Sequence, residues 1–303
     1  MERAEIDALL QRFDQPATDK ANPRTRAIVN RLMRELCYAI EDFDIQPSEF
    51  WSAVGLLADA GRSGELGLIV PGLGLEHFLD LRADEAERKA GLLGGTPRTI
   101  EGPLYVAGAP LCECEARLDD GKDDGEPLFM RGQVRDSAGQ PVPHALVEVW
   151  HANSLGNYSY FDQTQSAFNL RRSIRTDDQG RYRFLSIMPC GYSVPPDGPT
   201  DRLLRQLGRH GHRPAHVHFF VSAPGFRKLT TQINIQDDPY LWDDFAFGSR
   251  EGLVPEIQRV SAAEELRQSG VGKPFARIEF NFTLHREAAP APSTEVSRAR
   301  AQG

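Results

Sequence analysis

The first third of the chain repeats apolar residues at steps of three and four positions, which is the spacing of one helical face. The longest repeat covers residues 28–40 and predicts a long amphipathic helix. A second helix is predicted from after Pro47 to near Gly61, and a third from Leu75 toward Gly91. A Gly-Gly-Thr-Pro run then closes this segment, so the N-terminal part is predicted to be α-helical.

From Pro103 onward, apolar residues recur at every second position instead. Residues 146–150 and 277–284 show this alternation most clearly, and it predicts half-buried antiparallel strands. Turn-forming residues separate the runs at 136–139, 177–180 and 237–239. Many short strands at such spacing predict an antiparallel β-sandwich.

Together these patterns predict a fold that is mainly β with α. We expect a helical domain over residues 1–98, an antiparallel β-sandwich domain over 99–287 and a loose tail over 288–303. One further helix is expected late in the sandwich domain, because Ser261 and Glu264 have the spacing of a capping box.

Charge and composition argue against several classes of protein. The 303 residues carry a net charge of −8, whereas a nucleic-acid binder normally needs a basic face. The apolar stretches fall far short of the roughly 18 residues of a membrane span, and no signal peptide is recognised. The four cysteines show neither disulfide nor metal spacing, so free thiols in a reducing cytoplasm are expected.

The candidate chemistry begins with His216 and His218. On a strand over residues 216–221, both histidines would point to the same face, spaced to bind one metal ion. Zinc enzymes and iron(II) proteins also use this pattern, and two partly exposed strand histidines are a further alternative. His210 and His212 lie upstream in a Gly- and Arg-rich loop and are interpreted as loop polarity.

Two kinds of partner could complete such a metal site. Four downstream acids could supply a carboxylate to zinc or iron(II), or could simply be turn and helix-start residues: Asp237, Asp238, Asp243 and Asp244. Tyr158 and Tyr192 lie in Gly-bearing turns, where aromatic packing is the alternative interpretation. A non-catalytic sandwich module that binds or carries a ligand also fits residues 132–149.

Long stretches of the sequence resemble the intradiol ring-cleaving dioxygenases. They are ALVEVWHANSLGNYSYFD (145–162), FNLRRSIRTDDQGRYRF (168–184) and GPTDRLLRQLGRHGHRPAHVHFFVSAPGFRKLTTQINI (198–235). Two more look like the catechol 1,2-dioxygenase branch in particular: TIEGPLYVAGAP (99–110) and DPYLWDDFAFGSREGLVP (238–255). The resemblance covers nearly the whole chain, including its helical N-terminal segment.

This resemblance implies a mononuclear non-haem Fe(III) held by two tyrosinates and two histidines. Matched residue by residue, the metal ligands would be Tyr158 in Gly-Asn-Tyr-Ser, Tyr192 in Pro-Cys-Gly-Tyr, and His216 and His218 in His-Val-His. Tyr158 is chosen over Tyr160 because it follows the Gly-x element that the family keeps before its ligand. Phenolate is a hard, anionic oxygen donor, which suits Fe(III) better than zinc.

For the reaction, the resemblance implies O2-dependent intradiol cleavage of catechol to cis,cis-muconate. Tyr192 is the ligand expected to leave when catechol binds, so that displaced tyrosinate and hydroxide take the two catechol protons. Arg213 is expected to stabilise negative charge beside the metal, and Gln232 to face the site. Chlorocatechol and hydroxyquinol enzymes of the same family are the nearest alternatives, ahead of a zinc or iron(II) hydrolase.

The resemblance also points to an apolar wall for the flat catechol ring. Its residues would be Leu68, Pro71, Ile100, Pro103, Leu104, Phe245 and Ala246. The β-sandwich would be the catalytic domain, and the helical domain would form a homodimer with a lipid held at the interface. The helices could equally cover their own β-domain, and neither nucleic acid nor membrane is expected as a partner.

Overall fold

The computed structural model of the chain describes residues 1–14 and 20–287, together with the backbone of residues 301–302. Its helices are α1 (Arg3–Phe13), α2 (Pro23–Asp42), α3 (Pro47–Ser63), α4 (Leu66–Gly72), α5 (Leu75–Lys89), α6 (Pro199–Gln206) and α7 (Ala263–Ser269). Its strands are β1 (Val106–Ala107), β2 (Leu111–Glu113), β3 (Glu115–Arg117), β4 (Pro127–Asp136), β5 (Leu146–His151), β6 (Arg171–Arg175), β7 (Arg181–Ile187), β8 (Tyr192–Ser193), β9 (His212–Arg213), β10 (His216–Ser222), β11 (Leu229–Asn234), β12 (Ile257–Val260), β13 (Phe275–Glu279), β14 (Phe282–Leu284) and β15 (Ala301–Gln302).

All three predicted N-terminal helices are present, as α2, α3 and α5. α2 starts with Pro23, and the Asn22 side chain accepts a hydrogen bond from the Thr25 backbone N–H, which pairs one of the free donors of the first turn. The apolar spacing did not reveal α1, whose one buried residue is Ile6. It also missed α4 and α6, which have only seven and eight residues, too few for a pattern to repeat.

Two β-sheets build the sandwich. One has five strands in the order β11-β10-β5-β6-β2, and the other has six, β12-β13-β4-β7-β3 with β14 also paired to β4. A single buried cluster includes Val147 and Phe219 from the first sheet and Met130 and Phe184 from the second. An apolar core shared between two sheets defines a β-sandwich, so the predicted combination of helices and sandwich is confirmed.

The sheets are mixed and not strictly antiparallel, which corrects the prediction. β2 pairs with β6, β3 with β7, and both β13 and β14 with β4, all in parallel. Alternation of apolar residues records which face of a strand is buried, and that pattern is the same for either direction of pairing. Strand direction could therefore not be deduced from it.

Two late elements also differ from expectation. The alternating run at 277–284 forms two strands, β13 and β14, because the strand is interrupted at residues 280–281. The Phe280 carbonyl oxygen there accepts a hydrogen bond from Tyr182 Oη. The late helix α7 exists, but its N-cap is Ala262 and no side chain caps it, so the predicted Ser261–Glu264 capping box was wrong. The predicted tail at 288–303 lies outside the described residues, apart from the backbone of β15, which pairs with β1.

The chain divides into two compact units, Met1–Ser63 and Gly64–Gly303. The first contains α1 to α3, with α1 and α2 joined by ion pairs such as Arg3–Asp42. The second contains α4 and α5 together with the sandwich, whereas the sequence analysis placed all residues up to 98 in the N-terminal domain. Among the helices of the described residues, none has the length and apolar character needed to cross a membrane.

Candidate metal centre

The histidine pair lies on β10, in the interior of the five-stranded sheet. Val217, Phe219 and Val221 belong to the sandwich core, so His216 and His218 project from the opposite face of the strand. Both histidines are only 1% exposed, and their Nε2 atoms lie 3.0 Å apart. The strand therefore presents two imidazole nitrogens to one buried point.

The surroundings of the two imidazole rings set their orientation and charge. His216 Nδ1 lies 2.6 Å from the Pro214 carbonyl oxygen, which requires the proton on Nδ1 and leaves a lone pair on Nε2. His218 stacks on Trp150, with ring centroids 4.9 Å apart and an interplanar angle of 6°. Burial, followed by the Arg213 charge, lowers the pKa of His216 to about 3, and burial also holds the pKa of His218 well below its usual value. Both rings are therefore neutral at pH 7, as metal ligands must be.

Two turns bring Tyr158 and Tyr192 to the same point. In the first turn, Asn153 Oδ1 accepts hydrogen bonds from two backbone N–H groups just before Tyr158. Gly156 lies in this turn with φ +84°, and a Cβ there would come within 2.9 Å of the Gly191 carbonyl oxygen, next to Tyr192. Because Gly156 has no side chain, the two tyrosine-bearing turns can touch.

The two tyrosines then meet the histidines. Tyr158 Oη lies 3.4 Å from His216 Nε2, and the Tyr192 ring centroid lies 5.5 Å from the centroids of both the Tyr158 and the His216 rings. Tyr158 is 4% exposed, whereas Tyr160, with which it could be confused, has φ +75° and is 37% exposed. The structure thus brings all four predicted ligands together and leaves Tyr160 outside.

The charge state of Tyr158 depends on what lies beside it. Burial, with the neighbouring Tyr192, raises the pKa of Tyr158 well above its usual value, and the positive charges of Arg213 and Arg171 oppose that rise without reversing it. A phenolate at this place therefore requires a further cation close to its oxygen.

Arg213, the predicted stabiliser of negative charge, is buried beside these side chains. Its Nη1 lies 3.1 Å from His216 Nε2, and its Nη2 donates to Gln232 Oε1 at 2.8 Å. The same Nη2 donates to Asp244 Oδ2 at 3.0 Å. Burial lowers the pKa of Arg213, but the interactions with Asp244, Tyr192 and Tyr158 together outweigh burial, so the net pKa is raised. Arg213 is therefore a permanent cation in the site, with Gln232 bound to it.

Sequence reasoning did not single out Asp244 as the partner of Arg213. Of the four downstream acids, Asp243 is exposed and pairs with His210 at 3.0 Å, and Asp238 accepts a backbone N–H just before β10. Asp244 is buried. The one feature of the sequence that could have indicated its burial is its position directly before the apolar pair at 245–246. Over the described ranges, no group of three or more His, Cys, Asp or Glu side chains could hold a metal ion. Asp243 and Asp244, two of the acids that the zinc or iron(II) alternative would use as ligands, are instead paired with His210 and Arg213.

Most residues predicted to contact substrate fall into two apolar groups. One contains Leu104 with Tyr158 and Tyr192. The segment at 100–104 runs beside the metal site, since a Cβ at Gly102 would lie 4.0 Å from His218 Cε1. The other group contains four predicted residues and two that the sequence did not indicate: Leu68, Ile100, Phe245 and Ala246, with Val194 and Leu204.

The remaining two predicted residues belong to α4 or its surroundings. Pro71 is buried within α4, and a Cβ at Gly67 of the same helix would lie 3.4 Å from Pro103 Cβ. Arg209, which the sequence did not single out, donates to the last carbonyl oxygen of α4 and to the carbonyl oxygen of Phe245. α4 is thereby tied to the apolar group that contains Phe245.

Two protein families match most of the chain. The family described as "Catechol dioxygenase N terminus" matches residues 22–91, and the family described as "Dioxygenase" matches residues 100–286. The interval between the two matches contains residue 98, where the sequence placed a domain boundary, whereas the compact units divide between Ser63 and Gly64.

Individual relatives are similar over almost their whole length. Catechol 1,2-dioxygenase 2 of Acinetobacter lwoffii is 67% identical over 88% of this chain and 97% of that protein. Catechol 1,2-dioxygenase of Acinetobacter guillouiae is 55% identical over 96% and 97%. The crystal structure of wild-type Acinetobacter radioresistens catechol 1,2 dioxygenase has a TM-score of 0.96 at 56% identity, covering 100% of this chain and 99% of that one. Hydroxyquinol 1,2-dioxygenase of Rhizobium is less similar, at 35% identity over 88% of this chain.

Proposed function

We infer the chemistry of the site from one premise: the chain belongs to the intradiol dioxygenase family, and within it to the catechol 1,2-dioxygenase branch. We propose that it opens the ring of catechol between the two hydroxylated carbons with O2. Catechol and O2 balance to cis,cis-muconate and two protons, so no external reductant is needed. The observation that carries the proposal is the convergence of Tyr158, Tyr192, His216 and His218 at one buried point.

A mononuclear ferric ion fits the donor atoms that meet there. Two phenol oxygens are hard donors suited to Fe(III), and two neutral imidazoles complete a set of four ligands. His216 Nε2 and His218 Nε2 lie 3.0 Å apart, which is close enough for both nitrogens to bind one metal ion. Bound Fe(III) would hold both oxygens of catechol and make a ring carbon reactive toward O2.

Tyr192 is proposed to receive one catechol proton at its Oη. It is half-buried on β8, which has two residues and pairs with the equally short β9. Tyr158, by contrast, is buried against His216. Tyr192 is thus the less constrained of the two tyrosines, and its Oη would act as a base placed beside the substrate hydroxyl groups.

Arg213 and Gln232 are proposed to hold the negative charge that develops on substrate. A guanidinium in a buried site acts more strongly on charge than it would in water. Arg213 is already bound to Asp244 and Gln232, so it needs no reorganisation during the reaction. The apolar group around Ile100 and Phe245 would accept the flat ring and exclude water from it.

The experiment that tests the function begins with iron loading of the purified chain. We expect one iron per chain and a visible tyrosinate-to-iron charge-transfer band. Catechol, 4-chlorocatechol and hydroxyquinol are then supplied in parallel, with muconate absorbance and O2 uptake recorded together. Catechol should turn over fastest, with one O2 consumed per ring. A colourless iron-loaded protein would contradict the ligand set, and faster cleavage of either other substrate would contradict the assignment to catechol.

We also propose that the N-terminal helices form a homodimer. α2 has no buried residue, and its apolar stripe is exposed in the single chain; the stripe consists of Ile28, Val29, Leu32, Met33 and Leu36. A second copy could cover such a stripe by two-fold symmetry. Light scattering of the wild-type chain should give the mass of a dimer, and a monomeric mass would refute the proposal. Leu32→Gln should weaken the dimer, whereas Arg31→Gln, on the other side of the helix, should leave the dimer unchanged.

Organic extraction of the purified protein tests separately for a bound lipid.

A further inference from the structure

Arg171 is a buried cation without an acidic partner. It begins β6, is 1% exposed, and donates three hydrogen bonds. Nε donates to Ser159 Oγ at 2.9 Å, Nη2 to the Ser159 carbonyl oxygen at 2.9 Å, and Nη1 to the Leu104 carbonyl oxygen at 2.8 Å. All three acceptors are neutral, and no carboxylate of the described residues forms an ion pair with Arg171. Buried arginines are normally paired with an anion, so this exception needs a cause.

The ionisable groups around Arg171 indicate where an anion could come from. Burial lowers the pKa of Arg171 to about 10, so the guanidinium is still charged at pH 7, and the groups that act on it are Tyr158 and Tyr105. Tyr105 Oη donates a hydrogen bond to Glu148 Oε1 at 2.5 Å. Tyr158 is the proposed metal ligand, and its ring centroid lies 5.7 Å from Arg171 Cζ. A tyrosinate at Tyr158 would supply the charge that Arg171 lacks.

We propose that Arg171 is the positioning residue of Tyr158. Its guanidinium clamps the Tyr158–Ser159 turn to the segment that carries Leu104, and its charge complements the tyrosinate ligand. This inference rests on the proposed function, because it takes Tyr158 as a ligand. Ser159 Oγ also donates to the Asn169 carbonyl oxygen at 2.6 Å, so the turn is held from two directions.

The strand register shows that this clamp is fixed to the same part of the sheet as the histidines. Arg171 on β6 pairs with Trp150 on β5, and Trp150 pairs with His218 on β10. Trp150 also stacks on the His218 ring. Arg171 therefore connects Tyr158, a proposed ligand in a turn, to the paired strand residues Trp150 and His218, of which His218 is a proposed ligand on a strand. It also links both to Leu104, a predicted part of the substrate wall.

The test compares two substitutions of Arg171 with a matched control. Arg171→Lys retains the charge but loses the planar fork of donors, and Arg171→Met loses both while retaining an apolar stem. Arg172→Met is the control, because Arg172 lies on the same strand and donates to the carbonyl oxygens of Phe168 and Arg171. Iron affinity and the charge-transfer band are measured for each protein, beside thermal unfolding of the metal-free form.

We expect Arg171→Met to lower iron affinity by about 10- to 100-fold. Its charge-transfer band should move to longer wavelength, because loss of a nearby positive charge raises the energy of the phenolate electrons. Arg171→Lys should retain the wild-type band position but lose part of the iron affinity, and Arg172→Met should match the wild type. A folded Arg171→Met protein with the wild-type band and affinity would overturn the proposal.

Two further measurements keep the proposal testable if Arg171→Met does not fold. Ser159→Ala removes the acceptor of Arg171 Nε and should lower iron affinity less than loss of the arginine; unchanged affinity in both Ser159→Ala and Arg171→Lys would overturn the clamp. Crystal structures of the metal-free proteins should show that the distance from Tyr158 Oη to His216 Nε2 is longer in Arg171→Lys than in the wild type by about 1 Å or more. If the wild type binds no iron, the proposed function fails, while this displacement, or its absence, still decides whether Arg171 positions Tyr158.

Discussion

The two histidines and the two tyrosines of the site are held by different kinds of structure. His216 and His218 lie on an interior strand, with β5 and β11 bonded on either side and the sandwich core behind. Tyr158 lies in a turn that is held by hydrogen bonds with the side chains of Asn153 and Arg171, and Tyr192 lies on a two-residue strand that pairs with the equally short β9. A five-stranded sheet thus fixes one half of the site, whereas a turn and a two-residue strand pair fix the other.

Removal of a histidine should have the largest effect, because the rigid half then loses a ligand that no neighbour can replace. We expect His218→Ala to lower iron affinity by more than about 100-fold, beyond the usual range for residues that only contact a ligand. His210→Ala is the control, since His210 pairs with the exposed Asp243 outside the site. Iron per chain after dialysis decides the outcome, and full retention of iron by His218→Ala would exclude it as a ligand.

The two tyrosines should respond differently to the same substitution. Tyr158→Phe should reduce iron affinity more than Tyr192→Phe does, because Tyr158 is the more buried of the two proposed ligands. Tyr192→Phe should retain most of the iron but lower kcat by about 100-fold, the low end of general acid–base effects. Iron titration and steady-state kinetics of both variants distinguish the roles. Equal iron loss with equal kcat in the two variants would show that neither tyrosine is the mobile one.

The Arg213–Asp244 pair supports the histidine side and can be broken at Asp244. Asp244→Asn leaves a buried guanidinium without its anion, which should cost about 3 kcal/mol or more of unfolding free energy. Asp243→Asn, at an adjoining but exposed position, should change stability by less than about 0.5 kcal/mol. Urea unfolding of the metal-free proteins measures both. Similar stability of the two variants would mean that the buried pair contributes no more than a surface acid.

A histidine that is not a predicted ligand gives the smallest expected effect, through pH. Burial lowers the pKa of His151 to about 4, from an ordinary value of 6.5. Below pH 6.5 the unfolded chain takes up a proton that the folded chain does not, so stability is complete above that pH and is lost as pH falls toward 4. The loss should reach up to about 3 kcal/mol. His151→Gln should flatten the pH dependence of urea unfolding between these values; an unchanged slope would contradict the assignment.

The sequence predicted the histidine half of the site from a local pattern and the tyrosine half only through resemblance to a family. His216 and His218 are two positions apart on one strand, so their common face follows from strand geometry alone. Tyr158 lies 58 residues from His216 in the chain, and no spacing rule connects them. The tyrosines could be assigned because the motifs around them were recognised.

Contacts between distant segments explain what sequence reasoning missed. Asp244 and Arg213 are 31 residues apart, and three other acids nearby were equally plausible partners. Arg171 was indistinguishable from Arg172 until the structure showed that one is buried against Ser159 and Leu104. Parallel pairing of β13 and β14 with β4 likewise depends on how the chain returns to the sheet, and apolar alternation does not record that path.

Arg209 supports the proposed substrate wall through backbone atoms alone. It binds α4 and the segment at Phe245 through their carbonyl oxygens, and a carbonyl oxygen is present whichever amino acid occupies a position. The side chains proposed to face the ring could therefore be exchanged while the frame that carries them stays in place. Evolution, or a protein engineer, can alter which substituted rings enter this site without touching the four residues that meet at its metal-binding point.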